Sequence, residues 1–167
     1  MTIVMVSGGK VRLIREKAMI RITKIFHFEA AHLLVGYKGP CKNIHGHSYE
    51  LHVTLAGLPV NNPSSPSNGM VMEFSELKNR IQSSVLEEFD HSLIIPSIAD
   101  KKIIDTLKKT HQKLVITSYQ PTCENLLQDF ASRIQKKLPR KISLQRLKLA
   151  ETPASYAEWR REDQATN

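Results

Sequence analysis

The chain has 167 residues, 41% hydrophobic and 24% charged, which fits one globular domain with room for a core and excludes a charge-rich disordered chain. No apolar run approaches the roughly 20 residues that a membrane-spanning helix needs. Two cysteines cannot supply a disulfide framework, so a reducing cytoplasm is the expected compartment. The net charge of +8 and the pI of 9.6 call for an anionic partner or substrate.

Residues 1–19 read as an appendage with a net charge of +3, from Lys10, Arg12, Arg15 and Lys17 against Glu16. Apolar residues come first and basic ones later, the reverse of a secretory signal. This stretch is an added strand, a frayed tail or the product of an upstream start site. The catalytic domain is expected over 20–167. From Ile20 the pattern alternates, and Phe26, Phe28, Ala30 and His32 share one parity, which predicts a first strand. A bulge near Glu29–Ala31 would upset that count. A loop with Gly36, Gly39 and Pro40 leads to a second strand over about 45–55. There His47, Tyr49, Leu51, Val53 and Leu55 share a face.

A polar loop over 59–69 ends in Asn68-Gly69, a tight-turn pair, and a short strand is expected at Met70–Phe74. Phe74, Leu77, Ile81, Val85 and Phe89 then recur at helical spacing, closing at Asp90-His91. A lysine-rich amphipathic stretch over 97–112 and a small strand at 113–117 follow. Thr122 is an N-cap candidate for a helix whose stripe is Leu126, Leu127, Phe130, Ile134 and Leu138, and Glu124 suits its first turn. Strands over 141–151 and 155–161 finish the chain. Strands at both ends with helices between predict an α+β fold, helices on one face of an antiparallel sheet.

The chemistry concentrates in Ala30-Ala31-His32 and Cys41-Lys42-Asn43-Ile44-His45-Gly46-His47. His45 and His47 leave a strand on the same face, and antiparallel pairing would bring His32 to them. Three imidazoles packed together without a metal are hard to satisfy as donors and acceptors. Three histidines with one open position is a catalytic zinc arrangement. His27, His52 and His111 are read as ordinary polar residues. Cys41, between Lys38 and Lys42 and beside the metal, is a candidate catalytic thiolate; Cys123, in a helix first turn, is read as structural. Asp90-His91 is either a solvated helix end or an acid–base relay. Glu151 shares the core parity of Leu147 and Leu149, so its carboxylate needs a partner with N–H donors.

Phe-x-Ala-Ala-His, Cys-x3-His-Gly-His-x-Tyr, the run at 70–78, Asp90-His91, Pro-Thr-x-Glu-Asn at 121–125 and Glu151-Thr152 occur here in that order. Together they resemble the 6-pyruvoyltetrahydropterin synthase / 6-carboxytetrahydropterin synthase family over roughly 20–161. The resemblance implies a tunnelling fold (T-fold): a four-stranded antiparallel sheet with helices on one side, three copies closing a barrel and two barrels stacking into a homohexamer with interfacial active sites. It implies Zn2+ on His32, His45 and His47, Cys41 as base, Asp90 and His91 as relay, and Glu151 holding the pterin with Thr122 and Glu124 near the ring. It also implies 7,8-dihydroneopterin triphosphate as substrate, an anion that suits the basic chain. Three residues between Cys41 and His45, fewer than in the animal enzymes, resemble the bacterial queuosine branch. That branch makes 6-carboxy-5,6,7,8-tetrahydropterin with loss of acetaldehyde and triphosphate. The alternative is a 6-pyruvoyltetrahydropterin synthase eliminating triphosphate only. Cys123, the long 97–117 segment and residues 1–19 depart from the family pattern.

A nucleic-acid-binding protein with a structural zinc is the contrasting reading. It requires steep salt-dependent binding and a closed site that includes Cys41. The chain has no helix-turn-helix, no glycine–aromatic RNA signature and no basic helix interleaved with aromatics. No nucleic-acid or membrane partner is therefore expected.

Overall fold

The structure is a computed structural model that describes residues 18–110 and 113–164. Most of the basic extension and His111 lie outside the described residues. The long hairpin is the frame: β1 (Ile20–His32) and β2 (His45–Gly57) pair antiparallel in unbroken register from Ile20↔Gly57 to His32↔His45. The bulge that would have shifted the parity of β1 does not occur. Phe26, Phe28, Ala30 and His32 are buried while His27 and Glu29 are exposed, so alternation alone sorts the two faces.

β5 (Ser143–Thr152) and β6 (Ser155–Arg160) continue the antiparallel sheet on the β2 side. The four strands of the expected antiparallel sheet are therefore present. Two more extend it on the β1 side: β3 (Ser92–Pro96) runs parallel to β1, and β4 (Leu114–Thr117), the small strand expected at 113–117, runs parallel to β3. The order is β4-β3-β1-β2-β5-β6. β3 escapes the sequence pattern because Leu-Ile-Ile is a short apolar run with no period of its own. The expected strand at Met70–Phe74 does not form. Val60 and Met70 instead close the Asn68-Gly69 loop on itself, with Gly69 at a φ of +85°.

One face of the sheet carries the helices. α1 (Phe74–Ile81) passes through a π turn at Gln82–Leu86 into the short α2 (Glu87–Phe89), keeping Leu77, Ile81, Val85 and Phe89 on the core side. α3 (Lys101–Lys109) is capped by Asp100, whose carboxylate accepts from the Lys102 amide at 2.7 Å. α4 (Cys123–Lys137) begins at Thr122 as its composition predicts; the Thr122 hydroxyl accepts from the Asn125 amide at 3.4 Å. Its stripe of Leu126, Leu127, Phe130 and Ile134 is buried against β5 and β6. Phe28, Tyr49, Phe89 and Phe130 form the aromatic centre of that core: Phe28 stacks on Tyr49 at 4.9 Å, and Phe130 meets Phe28 and Phe89 edge-on. No helix among the described residues is long and apolar enough to cross a membrane.

Candidate metal centre and active site

The loop end of the hairpin sets His32 directly opposite His45, and Ala30 opposite His47, so the three imidazoles share the helix-side face. Their ring centroids lie 4.5, 5.1 and 5.2 Å apart. One nitrogen from each falls within 4.8 Å of the others, and this trio is the one such group found among the described residues. Gly46 between them faces the other way, across from Ala31. A Cβ there would stand 3.3 Å from the Ala30 carbonyl oxygen, so glycine lets the two strands close up beneath the cluster.

The outer hydrogen bonds orient the rings. His32 Nδ1–H donates to the Pro121 carbonyl at 2.7 Å, and His45 Nδ1–H donates to the Asn43 carbonyl at 2.9 Å. Each carbonyl accepts a proton on Nδ1, which leaves each Nε2 with a lone pair. Those two Nε2 atoms face one another at 3.0 Å. Two lone pairs aimed at one point suit a shared Lewis acid, and an N–H···O=C bond behind a ligating imidazole is the usual support of a histidine metal site. Burial holds the His32 pKa below its ordinary value, helped by the neighbouring His45 and His47 and opposed by the Pro121 hydrogen bond and Glu151. A neutral imidazole is what a metal requires. The residues present therefore fit a zinc ion.

Glu151 reaches the same face of the sheet. Its carboxylate accepts from the fully buried Tyr49 hydroxyl at 3.5 Å. Burial, then the Glu151 carboxylate, push the Tyr49 phenol well above its ordinary pKa. Cys123 is buried with its thiol donating to the Leu149 carbonyl at 3.1 Å, and burial pushes it up to about 12, so it stays a thiol at neutral pH. Thr122 is half-buried and acts locally as the α4 cap, whereas Glu124 is exposed in the first turn.

Cys41 sits half-buried in a short 3-10 turn, Pro40–Lys42, on the loop joining β1 to β2. Its carbonyl accepts from the Leu34 amide at 3.0 Å, folding the loop back over the end of the hairpin. Asp90 and His91 are placed differently. The Asp90 carboxylate accepts from the Glu29 amide at 3.0 Å and from His91 Nδ1–H at 2.8 Å, while the His91 amide donates to the Glu29 carbonyl at 2.6 Å. His91 holds a φ of +58°, an uncommon left-handed conformation for a side-chain-bearing residue. His91 is exposed and borders a groove of about 510 Å3 with Ala31, Gly46, Ser48 and Lys113. Of the cluster, only His47 borders this groove. Glu151 and Lys148 border a second groove, of about 610 Å3, which also touches His47. Cys41 lines neither. The structure thus assembles His32, His45, His47 and Glu151 in one place, and presents the Asp90–His91 pair toward solvent, hung from the exposed-parity position Glu29. The Pro121 carbonyl and the Tyr49 hydroxyl, both in contact with site residues, have no signature in the sequence beyond lying inside the matching motifs.

A curled sheet backed by helices, with a histidine trio at the loop end of its longest hairpin, defines a T-fold enzyme. Comparison with known proteins agrees. The family model for 6-pyruvoyl tetrahydropterin synthase matches residues 21–162, so the chain belongs to that family of enzymes. It is 32% identical over 143 residues to the 6-carboxy-5,6,7,8-tetrahydropterin synthase of Haemophilus influenzae, covering 84% of this chain and 99% of that one. It is 34% identical over the same span to the protein of that name from Rickettsia bellii, again covering 84% and 99%. Among solved structures, Caenorhabditis elegans 6-pyruvoyl tetrahydropterin synthase superposes with a TM-score of 0.61 at 24% identity, over 88% of this chain and 99% of that one. The Plasmodium vivax 6-pyruvoyltetrahydropterin synthase gives 0.66 at 18% identity, over 86% and 98%.

Proposed function

We propose that this chain is a zinc-dependent lyase. It converts 7,8-dihydroneopterin triphosphate and water to 6-carboxy-5,6,7,8-tetrahydropterin, acetaldehyde and triphosphate. The observation that carries the reading is the histidine trio, with two Nδ1–H groups tied to carbonyls and two Nε2 atoms converging at 3.0 Å. The choice of product follows the names carried by the bacterial relatives, together with the three-residue spacing from Cys41 to His45.

His32, His45 and His47 hold the zinc, which when bound supplies Lewis acidity to the side-chain hydroxyls of the substrate. Glu151 accepts from the ring N–H and amino groups of the pterin and fixes its orientation, with Thr122 and Glu124 bordering the ring. Cys41 takes a proton from the substrate side chain, and the Asp90–His91 pair holds and returns one. Cys41 stands on the loop that joins the two histidine-bearing strands, whereas Asp90–His91 projects from the solvent side of the sheet. A dyad placed in that way is suited to a neighbouring copy, and a hexamer of stacked trimers brings the groups together. Triphosphate suits the net charge of +8. The enzyme works in the cytoplasm on a small molecule.

The test is metal dependence. Protein stripped with a chelator is expected to be inactive on dihydroneopterin triphosphate and to recover in proportion to zinc, saturating at about one ion per chain with an open position at the metal. Full turnover in metal-free protein refutes the reading.

A further inference from the structure

Among the buried side chains of the site, the tyrosine hydroxyl of β2 is left unused by the proposed chemistry. Tyr49 is fully buried in β2 and lies between the metal cluster and Glu151. Its ring stacks on Phe28 with an interplanar angle of 9°, and it meets His47 and His32 edge-on at 5.5 and 6.3 Å. A phenylalanine would make every one of those contacts. The hydroxyl adds a single thing, the bond to Glu151 Oε1, which is its one hydrogen-bond partner among the described residues. A phenol with no water access needs such a partner, so the two groups are tied to each other.

Glu151 has little else to hold it. The ladder between β5 and β6 breaks at this point: Ala150 pairs with Tyr156 and Thr152 with Ser155, leaving Glu151 in the irregularity between them. Alternation from Leu147 and Leu149 keeps Glu151 on the core face, and the break removes the regular pairing that would help fix where its carboxylate rests. The 3.5 Å distance lies beyond the about 2.5–3.0 Å of a formed O–H···O bond, so the contact is loose until a ligand draws the site together.

We propose that Tyr49 is a positioning residue that sets the Glu151 carboxylate for the pterin and ties its placement to the histidine cluster. This rests on the reading of Glu151 as the pterin anchor. Through one rigid ring, ordering of His32 and His47 is felt at Glu151, so zinc and pterin each tighten the binding of the other by the same factor.

The experiment measures Kd for a non-reacting pterin by fluorescence, with and without zinc, in the wild type, Tyr49→Phe, Glu151→Gln and the double variant. KM, kcat and zinc content are measured alongside. Tyr49→Phe is expected to bind the same zinc, raise the pterin Kd and KM about fivefold to tenfold with a smaller change in kcat, and reduce the effect of zinc on pterin affinity. Glu151→Gln is expected to weaken the pterin further, and adding Tyr49→Phe to it to cost nothing more. Wild-type pterin affinity in Tyr49→Phe, with weakened affinity in Glu151→Gln, overturns the positioning role and leaves the anchor standing. Unchanged affinity in Glu151→Gln overturns the anchor and the positioning role together. Loss of zinc in Tyr49→Phe also overturns the inference, because the ring that touches the histidines is kept.

Discussion

Thr122→Ala perturbs one end of a short chain of contacts that ends at the metal site. The Thr122 hydroxyl caps α4 through the Asn125 amide, and the preceding residue, Pro121, supplies the carbonyl that orients His32. Loss of a threonine cap costs on the order of 1 kcal/mol, and a 3.4 Å bond belongs in the lower half of that range. For a chain of this length that is a fall of about 2–4 °C in Tm. Deleting a partner behind a metal ligand typically costs about 10–100-fold in metal affinity. Thr122→Ala keeps the Pro121 carbonyl and only frees the turn that holds it, so the expected loss of zinc affinity is about threefold to tenfold. Urea unfolding of the metal-free protein reads the first quantity, and competition with a chromogenic chelator reads the second. Thr122→Ser restores both. A variant that loses stability but binds zinc as tightly as the wild type refutes the link from helix cap to ligand.

Phe130→Ala removes a fully buried ring that contacts Phe28 and Phe89. It is expected to cost about 3–5 kcal/mol in denaturant unfolding, and a loss under about 1 kcal/mol would show that the aromatic centre is not the core. Cys41→Ala is expected to keep full zinc content while losing about 10²–10⁴-fold in kcat; loss of zinc would instead make Cys41 a fourth ligand and favour a structural site. Asp90→Asn is expected to lower kcat with little change in KM, and mixing it with Cys41→Ala protein should restore part of the activity through sites built from two copies. No recovery from mixed and re-annealed subunits would place both groups within one chain.

Much of the fold was legible because parity and helical period carry it. The face of β1 and β2, the cap at Thr122 and the stripe of α4 lie where alternation and spacing put them. β3 was hidden by its brevity, since three apolar residues after a helix carry no period, and its partner is a strand 62 residues earlier in the chain. The Met70–Phe74 strand was suggested by Met-Val-Met, but that segment spends its hydrogen bonds closing the preceding loop. The histidine trio was legible because two ligands share a strand face and the third needed only a hairpin. The supports at Pro121, Asn43 and Tyr49 were not, because a backbone carbonyl has no residue signature and a buried tyrosine on a core face reads as packing.

The most direct test of the central claim is the mass of the products formed from 7,8-dihydroneopterin triphosphate by zinc-loaded protein. The account predicts 6-carboxy-5,6,7,8-tetrahydropterin and acetaldehyde in equal amounts, with triphosphate released. Accumulation of 6-pyruvoyltetrahydropterin without acetaldehyde would contradict it and move the chain to the branch that eliminates triphosphate alone.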